Sequence, residues 1–333
     1  MTRLADTVER VEEGVVAVDV GGTTLKALAL TGHGEVVAES VVATPSGGDG
    51  VRSALRDLVA VMVGELETHG ATPRRIGIAT PGVVDPEQGV VAYASNLGWR
   101  DLPLAADLRA EFGVAVHVEH DAKAGALAEH AARTDGTGAD LAFVPIGTGV
   151  SAAYFAGDDL LRGTTGAIGE FGHVRAVPGG DLCACGARGC VEAYTSATNL
   201  VVRYRRAGGR ADDAADVVAR IGRDPIAARV WREALDALAV GLGGLVMLLD
   251  PSRIVIGGGL SLAGPTLLDP LRERLDAEVP WRAMPPVSAS GFGARSVLVG
   301  AALLGDDRPA ADRWELVQTL AAALRHGGPA VVR

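Results

Sequence analysis

A strand, a glycine-bearing turn and a second strand occur twice in this chain of 333 residues, and that layout limits the fold more than any other feature. The first copy runs through residues 15–20, Gly21-Gly22-Thr23-Thr24 and residues 25–30. The second runs through residues 141–146, Gly147-Thr148-Gly149 and residues 150–155. Apolar residues alternate or run together over each arm, as strands require, and glycine at the junction lets the chain reverse. Identity between the copies is slight, so what repeats is layout rather than letters. Residues 36–42 read as a third strand, which makes the first copy an antiparallel meander. Helical spacing follows over residues 51–66 (Leu55, Leu58, Val59, Met62, Val63, Leu66). Further strands are expected over 75–80, 114–118 and 254–256, and helices over 104–112, 121–132, 226–249 and 314–324. Strands alternating with helices give an α/β protein, long enough for two domains with separate cores.

Charge narrows the partners. A formal net charge of -10 and a pI near 5.2 do not suit nucleic acid or an anionic membrane as a main partner. A phosphate ligand stays admissible, because backbone amides hold phosphate without side-chain charge. No stretch reaches the roughly 18 apolar residues of a membrane span. The first 14 residues carry Arg3, Arg10 and several carboxylates without an apolar run, so no secretory signal is expected. A reducing, cytoplasmic location follows, where thiols stay available for metal.

The three cysteines, Cys183, Cys185 and Cys190, all lie within eight residues, ten positions after His173. Three thiolates and one imidazole make a set that suits tetrahedral Zn²⁺. Gly186 and Gly189 let the loop turn sharply enough to bring the sulfurs together. Buried or redox cysteines are the alternative, and an odd number argues against a disulfide framework.

Glycines at strand ends offer a second chemistry. In Asp19-Val20-Gly21-Gly22-Thr23-Thr24-Leu25-Lys26, successive N–H groups make an anion nest and the threonine hydroxyls add donors. Asp19 can hold Mg²⁺ through water, and Lys26 brings a positive charge. Taken alone, this stretch is equally a plain Gly-Gly hairpin. Gly147-Thr148-Gly149 and Gly257-Gly258-Gly259 are two more such turns, and no G-x-x-x-x-G-K-[ST] run occurs. Glu119-His120-Asp121-Ala122-Lys123 follows a strand and opens a helix. A carboxylate there points to where open α/β sheets bind ligands, although an ordinary N-cap aspartate occupies the same kind of position.

Gly169-Glu170-Phe171-Gly172-His173, followed by Cys-x-Cys-x₄-Cys-x-Glu ending at Glu192, resembles the signature of the ROK family of bacterial sugar kinases and sugar-responsive repressors. Four other motifs extend the resemblance from Val15 to about Gly305. The resemblance implies a two-domain, actin-like (ribonuclease-H-like) fold with an interdomain cleft. The smaller domain would span residues 1–120 plus about 300–333, and the larger, with the zinc loop, 121–299. It implies that the loops at Asp19, Gly21, Gly22, Thr23, Thr24 and Lys26 and at Gly147, Thr148 and Gly149 hold the phosphates of ATP with Mg²⁺. Gly257, Gly258 and Gly259 match the adenosine loop.

Asp121 matches the aspartate of the family's Asn-Asp-Ala-Asn segment, which takes the proton of the sugar hydroxyl. Gly82, Asn96, His120, Glu170, His173 and Glu192 match positions that hold the sugar. The metal on His173, Cys183, Cys185 and Cys190 would be structural, fixing the loop that carries Glu170 and Glu192. The implied reaction is ATP-dependent phosphorylation of a hexose, at the 6-hydroxyl, by a homodimer or homotetramer. His120 and Lys123 depart from the asparagines usual there. A larger ring at 120 leans the acceptor slightly to N-acetylglucosamine, with glucose the alternative. A sugar-responsive regulator would need a basic DNA-reading element, and only 14 residues, acidic overall, precede Val15. A non-catalytic sugar-binding protein would have lost Asp19, Asp121 or the glycine loops, and all are in place.

Overall fold

In β1 (Glu12–Val20) the residues Val15, Val16, Ala17 and Val18 are all buried, so the strand is a continuous apolar run rather than an alternation. The computed structural model describes residues 12–132 and 140–325; the charged segment before residue 12 and the tail after residue 325 lie outside them. β2 (Thr24–Thr31) and β3 (Val36–Ala43) complete the expected antiparallel meander, with Asp19 opposite Lys26. Helix α1 (Gly48–Thr68) buries Val51, Leu55, Leu58, Val59, Met62 and Leu66, the stripe its spacing predicts. β4 (Ala71–Thr80) runs parallel to β1.

A small sheet, β5 (Val83–Asp85), β6 (Val90–Ala94) and β7 (Trp99–Leu102), then intervenes; nothing in the sequence reading anticipated it. Its strands are short and interrupted by Pro86, Gly89 and Gly98, so no period develops. α2 (Leu104–Phe112) and β8 (Ala115–His120) follow, and the main sheet has the order β3-β2-β1-β4-β8. Residues up to Glu119, with those from Leu304 onward, make one compact unit.

The second unit, His120–Leu303, starts with α3 (Asp121–Ala131), β9 (Leu141–Pro145), β10 (Ala153–Ala156) and β11 (Asp159–Leu160). Four helices come next: α4 (Glu192–Thr195), α5 (Ala197–Arg206), α6 (Ala214–Val218) and α7 (Pro225–Leu249). Asp224 caps α7 by accepting the Ile226 and Ala227 N–H groups, and Pro225 sits at its first position. β12 (Arg253–Gly257), α8 (Pro265–Glu278), β13 (Val287–Ala289) and α9 (Ser296–Leu303) complete the unit. The sheet order is β11-β10-β9-β12-β13, an antiparallel meander extended by strands parallel to its first member. That is the order of the first sheet again, so the repeated layout in the sequence is a repeated topology. The chain ends, among the described residues, with α10 (Ala310–Arg325) in the first unit.

Two contacts fix α3. A Cβ on Gly300 of α9 would stand 1.7 Å from the Ala124 carbonyl, so the helices meet backbone to backbone. The Phe143 ring fills space left by Gly125 on α3 and Gly257 at the end of β12; a Cβ at either would come within 2.5 Å of it. Residues 150–152, expected as strand, are not. Their backbone is diverted to another segment: Ala152 N–H donates to the Gly169 carbonyl at 2.8 Å. No helix among the described residues is long and apolar enough to cross a membrane.

Candidate active site

In the first unit, the turn between β1 and β2 is a closed loop. Gly21 N–H donates to the Thr24 carbonyl at 3.0 Å, leaving no room for a Cβ on Gly21. Thr44 braces it from outside, its hydroxyl on the Gly21 carbonyl at 2.7 Å and its N–H on the Thr23 carbonyl at 2.9 Å. No sequence pattern marks Thr44, because a brace 23 residues away has no local signature. Asp19 and Lys26, cross-strand partners, form an ion pair at 3.4 Å. Asn96 lies on the turn between β6 and β7, its Nδ2 3.5 Å from where a Cβ on Gly22 would stand. Gly82 has φ of 106° and its missing Cβ would meet the Tyr93 carbonyl at 2.3 Å. A close backbone approach therefore requires glycine there, whatever else the position does.

In the second unit, Asp121 is the first residue of α3, while His120 occupies the N-cap position and makes no side-chain cap. Asp121 Oδ1 accepts the Ala122 N–H at 2.6 Å and lies 3.3 Å from His120 Nδ1. The positive end of the helix favours a carboxylate there. Asp121 retains 32% side-chain exposure against 11% for His120, so the carboxylate is the more accessible of the two. Lys123, one of the two departures, is buried, and its Nζ donates to the Gly166 carbonyl at 2.6 Å.

Both remaining glycine loops meet at Ile146. Its N–H donates to the Gly257 carbonyl at 3.0 Å, and its carbonyl accepts the Leu260 N–H at 3.1 Å. Gly258 has φ of 72° and comes so near Ile146 that a Cβ would stand 2.4 Å from that carbonyl. Gly147 N–H closes its own loop on the Gly149 carbonyl at 2.9 Å. After the third loop comes a 3-10 turn, Gly259–Ala263, which leads into α8.

Gly169-Glu170-Phe171-Gly172-His173 lies flush on residues 150–152. A Cβ on Gly169 would stand 2.0 Å from the Ala152 carbonyl, and one on Gly172 2.3 Å from the Val150 carbonyl. Phe171 anchors the run in the buried core of the second unit, which also holds Cys190 and Leu242. Glu170 and His173 remain outside, with Glu170 Oε2 3.7 Å from His173 Nε2.

The other ring nitrogen of His173 faces the cysteines: Nδ1 is 3.7 Å from Cys183 Sγ, and Cys185 Sγ is 3.7 Å from Cys190 Sγ. All four potential ligand atoms lie within 4.8 Å of one another. Sulfurs about 2.3 Å from a tetrahedral zinc would be ~3.8 Å apart, so the set fits the ion. Gly186 and Gly189, with φ of 87° and 79°, make the turns expected of them. Burial pushes the Cys190 thiol up to about 12 and raises Cys183, whereas the hydrogen bond from the Ala187 backbone lowers Cys185. Thiols this close ionise together only against a cation, and a coordinated divalent ion deprotonates them outright. Glu192 follows Cys190 by two residues and is half-buried; its Oε2 accepts the Val150 N–H at 2.9 Å.

The ROK family model matches residues 15–308 of the chain. A glucokinase of Streptomyces coelicolor is 32% identical over 308 residues, which cover 86% of this chain and 96% of that one. An N-acetylmannosamine kinase of Shigella flexneri is 30% identical over 292 residues, 87% of this chain and 97% of its own length. Among solved structures, a ROK family glucokinase from Streptomyces griseus in complex with glucose and AMPPNP superposes with a TM-score of 0.76 at 33% identity. That match covers 87% of this chain and 98% of the other.

Proposed function

The chain belongs to the ROK family and has its actin-like α/β fold, and from that premise we propose that it transfers the terminal phosphate of ATP to a hydroxyl of a hexose. The observation that carries the reading is one arrangement in the second unit. A carboxylate, Asp121, opens a helix pinned by Gly300 and Phe143, and the same unit holds two glycine loops stitched through Ile146. Phosphoryl transfer asks little covalent chemistry of a protein; it asks for alignment, charge neutralisation and a base. Asp121 receives the hydroxyl proton as the new O–P bond forms.

The loops of Gly21, Gly22, Thr23 and Thr24 and of Gly147, Thr148 and Gly149 meet the phosphates through the hydroxyls and those N–H groups that do not close the turns themselves, and Gly257, Gly258 and Gly259 line the nucleoside end. Mg²⁺ that travels with ATP supplies charge neutralisation; Asp19, paired with Lys26, is the residue to hold it through water. Asn96, His120, Glu170, His173 and Glu192 hold the sugar, with Gly82 giving backbone access. His173 divides its ring: Nδ1 faces the cysteines, leaving Nε2 on the Glu170 side for a sugar hydroxyl. Zinc on His173, Cys183, Cys185 and Cys190 would have four protein ligands and no open position, so its part is to hold the loop. The two compact units are the two domains of this reading, and a cytoplasmic location keeps the thiols reduced.

The acceptor proposed first is glucose at its 6-hydroxyl, in line with the glucokinases among the relatives. N-acetylglucosamine is the second, because the residue beside Asp121, His120, carries a larger ring than the asparagine of the family's segment. An ADP-release assay with ATP and a panel of hexoses tests both. ADP formation that depends on a hexose, with the phosphate found on its 6-oxygen by NMR, supports the proposal. Absence of hexose-dependent ADP formation across the panel overturns it.

A further inference from the structure

Glu192 matches a sugar-holding position, yet one of its carboxylate oxygens is already engaged elsewhere. Oε2 accepts the N–H of Val150, the residue that closes the Gly147-Thr148-Gly149 loop through its bridge to Ile146. The same oxygen would lie 3.0 Å from a Cβ on Gly149. The loop's other end is held by the same segment, since Ala197 N–H donates to the Gly147 carbonyl at 2.8 Å. Between these two grips the chain is braced: Asn199 Nδ2 bonds the Glu192 carbonyl at 3.0 Å and Ser196 Oγ at 2.8 Å. Upstream, Ala193 N–H returns to the Cys190 carbonyl at 3.1 Å, and Val191 N–H to the Val174 carbonyl at 2.9 Å. One short braced stretch thus runs from a metal ligand to both ends of a glycine loop.

We propose that Glu192 is a positioning residue of the nucleotide site, setting the Gly147–Val150 loop with one carboxylate oxygen. Through it the Cys₃His cluster governs phosphate binding as well as sugar binding. The inference rests on the kinase reading above, in which this loop meets the phosphates. With Gly147 N–H closing the loop and Val150 N–H on Glu192, the Thr148 and Gly149 amides are the ones presented to a phosphate. Placing a carboxylate beside an anion site is unfavourable by charge alone. That makes the sign of a substitution informative: if only charge mattered, neutralising residue 192 would tighten nucleotide binding.

The test is calorimetric titration of the sugar-free protein with AMPPNP and Mg²⁺, with folding checked by thermal melting and metal by elemental analysis. Glu192→Ala removes the acceptor of the Val150 N–H and weakens AMPPNP binding about tenfold, the loss of a charge-assisted hydrogen bond. Glu192→Gln keeps an acceptor oxygen and recovers most of that loss. In wild type, stripping the metal weakens AMPPNP binding by a similar factor; in Glu192→Ala, stripping adds little, because the two act through one connection. Wild type that binds AMPPNP with Glu192→Ala binding it equally well, or more tightly, overturns this inference alone. Wild type that binds no AMPPNP overturns the kinase reading and this inference together.

Discussion

Lys123→Met takes a charge out of the second unit while keeping the length and nearly the volume of the side chain. The lysine is 2% exposed, and its ammonium bonds the Gly166 carbonyl at 2.6 Å, tying α3 to the loop that leads to Glu170. A hydrogen bond from a charged donor contributes about 1.5–3 kcal/mol. At about 1.4 kcal/mol per decade, its loss loosens the loop by roughly 10- to 100-fold in the ratio of held to released states. Burying the ammonium costs several kcal/mol in the other direction, so global stability does not fall in proportion, and the melting temperature stays within a few degrees of wild type.

The expected signature is therefore a split. KM for the hexose rises roughly 10- to 100-fold, while KM for ATP stays within about a factor of two and zinc content is unchanged. Initial rates over a matrix of sugar and ATP concentrations, with a melt of each preparation, make the measurement. A folded variant with wild-type hexose KM refutes the tether. A fall of many degrees in melting temperature with both KM values unchanged would make Lys123 a core cation and nothing more.

Asp121→Asn should lower kcat by about 10²- to 10⁴-fold with melting and metal content unchanged, and retention of more than a third of kcat would remove Asp121 as the base. Elemental analysis should find about one zinc per chain, lost in Cys185→Ser, and a verified metal-free protein with full activity would contradict the structural role given to the cluster. Glu129 is buried, its carboxylate taking hydroxyl hydrogen bonds from Ser290 and Ser296, and burial raises its pKa above the ordinary 4.5. The folded state then holds this proton more tightly than the unfolded one, so the group's contribution to stability grows as pH falls through its raised pKa towards 4.5 and levels off below it. Glu129→Gln should flatten that part of the stability profile in urea titrations across this range, and an unchanged slope would show that the slope has another source.

Patterns local in sequence were the legible ones. α2 lies where its spacing put it, and α7 begins within one residue of expectation, because each buries a regular stripe over several turns. The cysteine cluster was readable from spacing alone, since three ligands within eight residues need no knowledge of the fold. What could not be read are pairings between distant segments. Lys123 with Gly166 and Val150 with Glu192 join residues 43 and 42 apart, and neither end has a motif that names its partner. Residues 150–152 misled for a related reason. They have the composition of a strand, but their N–H groups go to three separate places: Val150 to the Glu192 carboxylate, Ser151 to the Pro145 carbonyl and Ala152 to the Gly169 carbonyl. The residues of the first glycine loop were found and its brace, Thr44, was not, because the turn carries a composition and the brace only a hydroxyl.

The two glycines that frame Glu170 leave no thickness to spare. With carbonyl oxygens 2.0 and 2.3 Å from where their side chains would begin, Gly169 and Gly172 make the distance between two main chains a fixed dimension of the second unit. An engineer who wants a different acceptor cannot widen the site by moving this segment outward, since any side chain at either position displaces the whole run and the His173 ring with it. On the proposed reading of the site, the adjustable parts are the groups that project from a frame of constant depth at positions 120 and 170, since His173 also belongs to the metal cluster. On that reading, acceptor preference on this scaffold is a matter of exchanging side chains, in small steps, with the metal loop left untouched.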